Sequence, residues 1–362
     1  MSTIPTTQTA ATVPRLGGGV KFVYDYPVPR AGRNEVLAKV LYTGVCQSDL
    51  HTQAGIASSP SGDPILNVKL PHVGGHEGIG RIVALGPGCD EKVRIGALVG
   101  IRFVSRVCRQ CAFCLQGNEQ HCMNSRNHLH HEDGSFQEYI VLDAGYLTVL
   151  PDDIDPVVTG PVLCAGLTTY KAVKNANVKD GDLVVVIGAG GGLGHLAVQY
   201  ARARGGFVIG VDAGAAKHDF VKSLGATAYI DILSTPNLVQ QVLTLTSGAG
   251  AHSVIVTAGS AAAYAHAIEM LRVGGTLCCV GIPSGRTFFE TSVTAIVIKG
   301  LRIVGNLVGT QEECLEAVEL VRKGVVRPTV TVRGFEELGK VYREMEKGEV
   351  VGRVVLKVAK DE

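Results

Sequence analysis

The chain has 362 residues, a formal net charge of +1 and 46% hydrophobic content. Such a charge offers no field to attract nucleic acid or an anionic membrane. The length exceeds one ordinary core and predicts two domains, and no apolar run reaches membrane-spanning length. Met1 to Leu16 is rich in Thr and Ala and lacks the charged and apolar halves of a secretory signal, so it reads as a loose tail. Ten cysteines without such a signal suit a reducing compartment, taken as the cytoplasm, with thiols that bind metal or pack in cores.

Val36 to Val45, Gly78 to Leu85 and Leu98 to Val104 are short runs rich in β-branched residues, punctuated by Pro60, Pro64, Pro71, Gly74, Gly75 and Gly86 to Gly88. This pattern predicts a barrel-like β-rich domain. Within it, Gly44-Val45-Cys46-Gln47-Ser48-Asp49-Leu50-His51 sets a thiolate, a hydroxyl and an imidazole within six positions. Those groups suit a zinc site that activates an alcohol. Gly74-Gly75-His76-Glu77-Gly78 adds an imidazole and a carboxylate between glycines.

Cys108, Cys111, Cys114 and Cys122 follow as C-x2-C-x2-C-x7-C. Four thiolates on one short lobe can close a tetrahedron around zinc and leave no position for substrate, the mark of a structural ion. An iron–sulfur cluster is the alternative occupant. His121, His128, His130 and His131 read as loop residues, because four thiolates already fill the tetrahedron.

The middle of the chain predicts a dinucleotide fold. Leu183 to Gly188 is a buried strand, Gly188 to Gly194 a glycine-rich turn, His195 to Arg204 a helix, and Phe207 to Asp212 a strand ending in a carboxylate. Backbone N–H groups at such a helix start cradle pyrophosphate, and the acid takes the ribose hydroxyls. Gly188, Gly191 and Gly194 recur every third residue, which predicts a loop one residue wider than G-x-G-x-x-G. Helices at Ala215–Leu224, Asn237–Thr246 and Ala261–Leu271 then alternate with strands at Ala228–Asp231, Ser253–Ala258, Thr276–Gly281 and Leu301–Asn306. Six strands with right-handed crossovers make a doubly wound parallel sheet. Helices around Gln311–Lys323 and Glu336–Lys347, with extended segments at Thr329–Val332 and Arg353–Val358, fall outside that set and most simply rejoin the first domain.

From Val36 to Lys357 the chain resembles the zinc-dependent medium-chain alcohol dehydrogenases, and within them the yeast-type branch of fungi and bacteria. The likeness is carried by GVCQSDLH, GGHEGIG, the cysteine lobe, GPVLCAGLTTYKA at Gly160–Ala172, IGAGGGLG and EKGEVVGRVVL at Glu346–Leu356. It implies an α/β protein with a GroES-like β-rich catalytic domain at 1–165 and 306–362 and a six-stranded Rossmann domain at 166–305. It also implies two zinc ions. Cys46, His76 and Cys164, with Glu77 as an exchangeable carboxylate, would hold the catalytic ion; Cys108, Cys111, Cys114 and Cys122 would hold the structural one. Ser48 and His51 would form the proton relay, and Asp49 would support His76. NAD contacts would fall on Thr168, Gly188, Gly191, Gly192, Leu193, Asp212 and Lys217, with Arg353 near the pyrophosphate. Gln47 departs from the family's usual His or Arg.

The implied reaction is hydride exchange between a small-molecule alcohol and NAD, in a homo-oligomer, dimer or tetramer, without nucleic acid or membrane. A zinc-free quinone or enoyl reductase of the same superfamily and a non-enzymatic zinc-stapled binding protein are the competing readings. The complete ligand set and the Ser48/His51 pair count against both. The segment 52–73 is longer than its yeast-type counterpart by about seven residues, the scale of one surface loop. Trp is absent, and Phe103 stands where small-alcohol enzymes use it. A substrate larger than ethanol is the resulting expectation.

Overall fold

The computed structural model describes residues 4–288 and 291–359. Strand β1 (Thr7–Thr12) pairs antiparallel with β2 (Lys21–Pro27). The expected loose tail is therefore ordered strand from Thr7 onward, while Met1 to Thr3 lie outside the described residues. Backbone pairing supplies the order: the Ala11 N–H donates to the Phe136 carbonyl at 2.9 Å, and Ala10 and Ala11 are buried. Composition does not register such tertiary pairing.

The first large sheet is built around β3 (Glu35–Val45), followed by α1 (Gln47–Ala54), β4 (Gly78–Leu85), β5 (Leu98–Ile101) and β6 (Val104–Arg106). The short helix α2 (Ala112–Leu115) lies in the cysteine lobe, and β7 (Arg126–Asn127) returns to pair with β6. Then come β8 (Tyr139–Asp143), β9 (Thr148–Val149), α3 (Pro156–Thr159) and α4 (Ala165–Asn175).

The second sheet alternates strand and helix: β10 (Leu183–Ile187), α5 (Gly194–Ala203), β11 (Phe207–Asp212), α6 (His218–Ser223), β12 (Ala228–Asp231), α7 (Leu238–Leu245) and β13 (Ala251–Val256). It closes with β14 (Leu271–Cys279), α8 (Val293–Lys299) and β15 (Arg302–Gly305). Its order is β12-β11-β10-β13-β14-β15, with all pairs parallel. Strand order reverses at β10, the position where open α/β sheets bind ligands. Alternate residues of β10 feed two cores: Val184 and Val186 pack on one face, Val185 and Ile187 on the other. Burial on both faces accounts for the unbroken apolar run in the sequence.

One expected helix is absent. Ala261–Leu271 begins as a single 3-10 turn, Ala261–Ala263, and continues in turns until β14 starts at Leu271. Several hydrogen bonds here span three residues, as in Tyr264 N–H to Ala261 and Ala267 N–H to Tyr264. The tighter winding buries Tyr264, Ala267, Ile268 and Met270, and Tyr264 Oη donates to the Gly281 carbonyl at 2.6 Å. Packing overrides the helix propensity of an alanine-rich run.

After β15 come α9 (Gln311–Arg322), β16 (Val330–Gly334), α10 (Leu338–Glu346) and β17 (Arg353–Lys357). Strand β17 pairs antiparallel with β3, Val354 opposite Val45. The first sheet thus runs β16-β17-β3-β4-β5-β9, with β8 also on β3. Among the described residues, no helix is long and apolar enough to cross a membrane.

Candidate active site and metal centres

Cys46 is the N-cap of α1, and its N–H donates to Asp49 Oδ2 at 3.1 Å. Asp49 is fully buried, and its other oxygen accepts from the Gly75 N–H at 2.9 Å and His76 Nδ1 at 3.0 Å. A proton fixed on Nδ1 leaves Nε2 of His76 as the free ligand nitrogen. Cys164 enters from the start of α4, and its carbonyl accepts from Thr168 N–H and Oγ1 at 2.8 and 2.7 Å.

Ligand atoms of Cys46, His76, Glu77 and Cys164 all lie within 4.8 Å of one another. The Cys46 thiol is held well below its ordinary value, first by the hydrogen bond from Cys164 and then by His76 and Arg353, against burial. Cys164 donates that bond, and Cys46 and burial hold its own thiol well above the ordinary value; a cation that displaced this proton would meet two thiolates and one imidazole. Glu77 is fully buried, and its Oε1 accepts from Arg353 Nη2 at 2.5 Å. Burial pushes its carboxyl up to about 7, with Arg353 opposing. Oε2 of Glu77 has no hydrogen-bond partner, which leaves it available to a metal. Gly44 makes this approach possible: a Cβ there would lie 2.1 Å from Glu77 Oε2.

The cysteine lobe forms a second group. Sulfur separations are 3.5 Å for Cys122–Cys108, 3.6 Å for Cys111–Cys114 and 4.0 Å for Cys108–Cys114. Zn–S bonds in a tetrahedron require S···S edges of about 3.8 Å, so the four thiols fit zinc as they stand. Cys108 is held near 6, first by the backbone N–H groups of Gln110 and Cys111.

Ser48 and His51 lie three residues apart on α1, on one face. His51 Nε2 is 3.1 Å from Gln47 Nε2, and burial lowers the His51 pKa. Gln47 therefore sits on the imidazole, a contact its sequence position did not suggest. The Phe103 ring stands edge-on to His76 at 6.1 Å.

At the dinucleotide turn, a Cβ on Gly194 would lie 1.9 Å from the Gly188 carbonyl, so helix and strand pack at a distance only glycine allows. Asp212 Oδ2 accepts from the Gly190 N–H, and Oδ1 accepts from Ala213 N–H and Lys217 Nζ, each at 2.7 Å. Leu193 caps α5, and Gly191 and Gly192 lie in the turn before it. This strand, turn, helix and terminal acid fit a dinucleotide. Arg353 connects the two halves: its Nη2 holds Glu77, and its Nη1 lies 3.0 Å from where a Gly192 Cβ would be. The resemblance implied only a place near the pyrophosphate for Arg353. His195 was read simply as helix, yet its Nε2 accepts from the Thr329 N–H at 3.3 Å, tying α5 to the segment before β16.

Residues 32–152 match the alcohol dehydrogenase GroES-like domain family and residues 192–323 the zinc-binding dehydrogenase family. The chain is 39% identical to alcohol dehydrogenase 1 of Neurospora crassa, over 99% of each chain. It is 37% identical to an alcohol dehydrogenase of Schizosaccharomyces pombe, over 99% of this chain and 100% of that one. The solved alcohol dehydrogenase of the archaeon Aeropyrum pernix superposes with a TM-score of 0.86 at 31% identity, covering 96% and 99% of the two chains. The fold and site thus define a dehydrogenase with a GroES-like domain and a Rossmann-like sheet. The chain belongs to the zinc-type medium-chain alcohol dehydrogenase family.

Proposed function

We propose that this protein is an NAD-dependent alcohol dehydrogenase holding two zinc ions per chain. The observation that carries the reading is the convergence of Cys46, His76, Glu77 and Cys164 ligand atoms within 4.8 Å, beside a dinucleotide turn. When bound, zinc supplies Lewis acidity toward the alcohol oxygen and NAD accepts the hydride. Cys46, His76 and Cys164 would hold the catalytic ion, with Glu77 in reserve, and Asp49 orients His76. Ser48 and His51 move the alcohol proton toward solvent. Cys108, Cys111, Cys114 and Cys122 would hold the structural ion.

Residues 1–165 and 306–362 form the catalytic domain in this reading, and 166–305 the dinucleotide domain; the outer three residues at each end lie outside the described region. Thr168, Gly188, Gly191, Gly192, Leu193, Asp212 and Lys217 would contact NAD, and Arg353 would serve both the pyrophosphate and Glu77. A homo-oligomer is supported by the exposed apolar face of α8, where Val293, Val297 and Ile298 stand 73%, 72% and 76% exposed beside edge strand β15. Cysteines free of disulfides suit the cytoplasm.

Metal analysis of the purified enzyme should return about two zinc per chain, three plus four protein ligands, and alcohols should drive NAD reduction. Cys46→Ser should abolish turnover and leave the fold. An active enzyme with one zinc, or an inert one with two, contradicts the assignment. Substrate size is tested by kcat/KM from ethanol through hexanol to benzyl alcohol. Each buried methylene should add roughly 0.8 kcal/mol, and a steady fall with size means a narrow site.

A further inference from the structure

The loop after α1 crosses to the other sheet. At its base, the Ile56 and Ala57 N–H groups both donate to the His51 carbonyl, at 2.9 and 3.1 Å. The loop then closes on itself: Ile65 N–H donates to the Ala57 carbonyl and Ser59 N–H to the Asp63 carbonyl, each at 2.8 Å. Its tip meets Gly285 and Arg286. The Gly285 N–H donates to Ser58 Oγ at 3.0 Å, and Arg286 Nε donates to the Ser61 carbonyl at 3.1 Å. Arg286 Nη2 lies 3.5 Å from Asp63 Oδ1. Gly62 holds a φ of +83°, and a Cβ there would lie 2.6 Å from Arg286 Cα.

On the far side, the nearest anchored residue is Gly281. Residues 285 and 286 follow Gly281, whose N–H donates to the Val256 carbonyl at 2.9 Å and whose carbonyl accepts from Tyr264. Thr257, next along, donates through Oγ1 to the Ile187 carbonyl at 2.7 Å, at the start of the dinucleotide turn. Bonded groups, joined through the covalent segment 282–284, therefore link that turn to the helix carrying Ser48 and His51.

We propose that Arg286 and Asp63 are positioning residues of a clasp that ties the 58–63 loop to the carboxyl edge of the parallel sheet. Opening of this clasp governs dinucleotide release. The inference rests on the NAD reading above. Two of its bonds use backbone groups of Gly285 and Ser61, which salt does not weaken. The Arg286–Asp63 pair, 62% and 65% exposed, adds a smaller, salt-screened part.

The experiment is NADH displacement followed by stopped-flow fluorescence on the zinc-loaded full-length enzyme. Arg286→Ala removes both side-chain contacts, and release should accelerate about tenfold. Gly62→Ala, which forces the loop off Arg286, should do the same. Asp63→Ala should give about twofold, and Arg286→Lys should fall between the wild type and Arg286→Ala. KM for NAD should rise while kcat holds or increases; a merely structural loss would lower kcat. A second measurement needs no cofactor: amide exchange at Gly285 should quicken in Arg286→Ala. Unchanged release in both Arg286→Ala and Gly62→Ala, or unchanged Gly285 exchange, overturns the clasp. A wild type that binds no NADH overturns the underlying reading instead, and the exchange result still decides the clasp.

Discussion

Asp49 serves two groups with one carboxylate. Its Oδ2 caps α1 at the Cys46 N–H, and its Oδ1 holds His76 Nδ1 and the Gly75 N–H. It thereby fixes both the thiolate and the imidazole of the candidate catalytic site. Asp49→Asn keeps the volume and removes the charge, and zinc affinity should fall about ten- to a hundredfold, read by chelator competition. Equal retention of zinc would mean that His76 is oriented by packing alone. His51 behaves differently: burial lowers its pKa, with Cys46 opposing, which favours the neutral imidazole. His51→Gln should slow alcohol oxidation most below neutral pH, where proton release is hardest, with zinc content unchanged. A pH-independent loss, or lost zinc, would contradict the relay.

At the scale of elements, the cysteine lobe has a small apolar footing: α2 has no buried residue, and the lobe is tied to its neighbours through Arg109–Asp143 and Glu119. Cys111→Ser should lower the thermal midpoint well before it touches kcat, since a closed site contributes folding energy. Helix α5 supplies an acid-sensitive joint. Burial pushes His195 down to about 4 from 6.5, with its hydrogen bond to the Gly191 carbonyl opposing. A folded pKa below the unfolded one gives stability that is complete above pH 6.5 and lost as pH falls toward 4. The full loss is about 3 kcal/mol. Urea unfolding at a series of pH values should show wild type and His195→Asn converging as the pH falls through this window.

Much of this is legible in the sequence. The alternation from Leu183 to Asn306 announced the parallel sheet, because β10 must be apolar on both faces, and the cysteine spacing announced that four thiols gather on one lobe. Two of the elements that the sequence did not reveal share one reason. Strand β1 owes its order to β2 and Phe136, and the turns at 261–270 owe theirs to buried Tyr264, so neighbours distant in sequence decided both. The Arg353–Glu77 pair, 276 residues apart, was equally invisible, although each member was singled out alone.

Across the whole molecule, the proposed site draws on both sheets, with Asp212 at the carboxyl end of β11 and Cys46 just after β3. The Asp212 carboxylate should repel a 2′-phosphate and accept from a free ribose hydroxyl. Asp212→Ser should therefore narrow the gap between NAD and NADP in kcat/KM. A wild type that prefers NADP would show that Lys217, bonded to Asp212 at 2.7 Å, screens the acid.

The neighbour of β3 opposite β4 is β17, and the guanidinium that holds Glu77 stands at the first residue of that strand. During synthesis the ribosome must therefore make Arg353 before the first sheet can close. Until then Glu77 has no counter-charge, the edge of β3 is open and the dinucleotide sheet is already complete. Contacts of this sequence separation slow folding and expose nascent edges. The nascent chain should thus complete its parallel sheet well ahead of the first sheet, and chaperone dependence should concentrate in that interval.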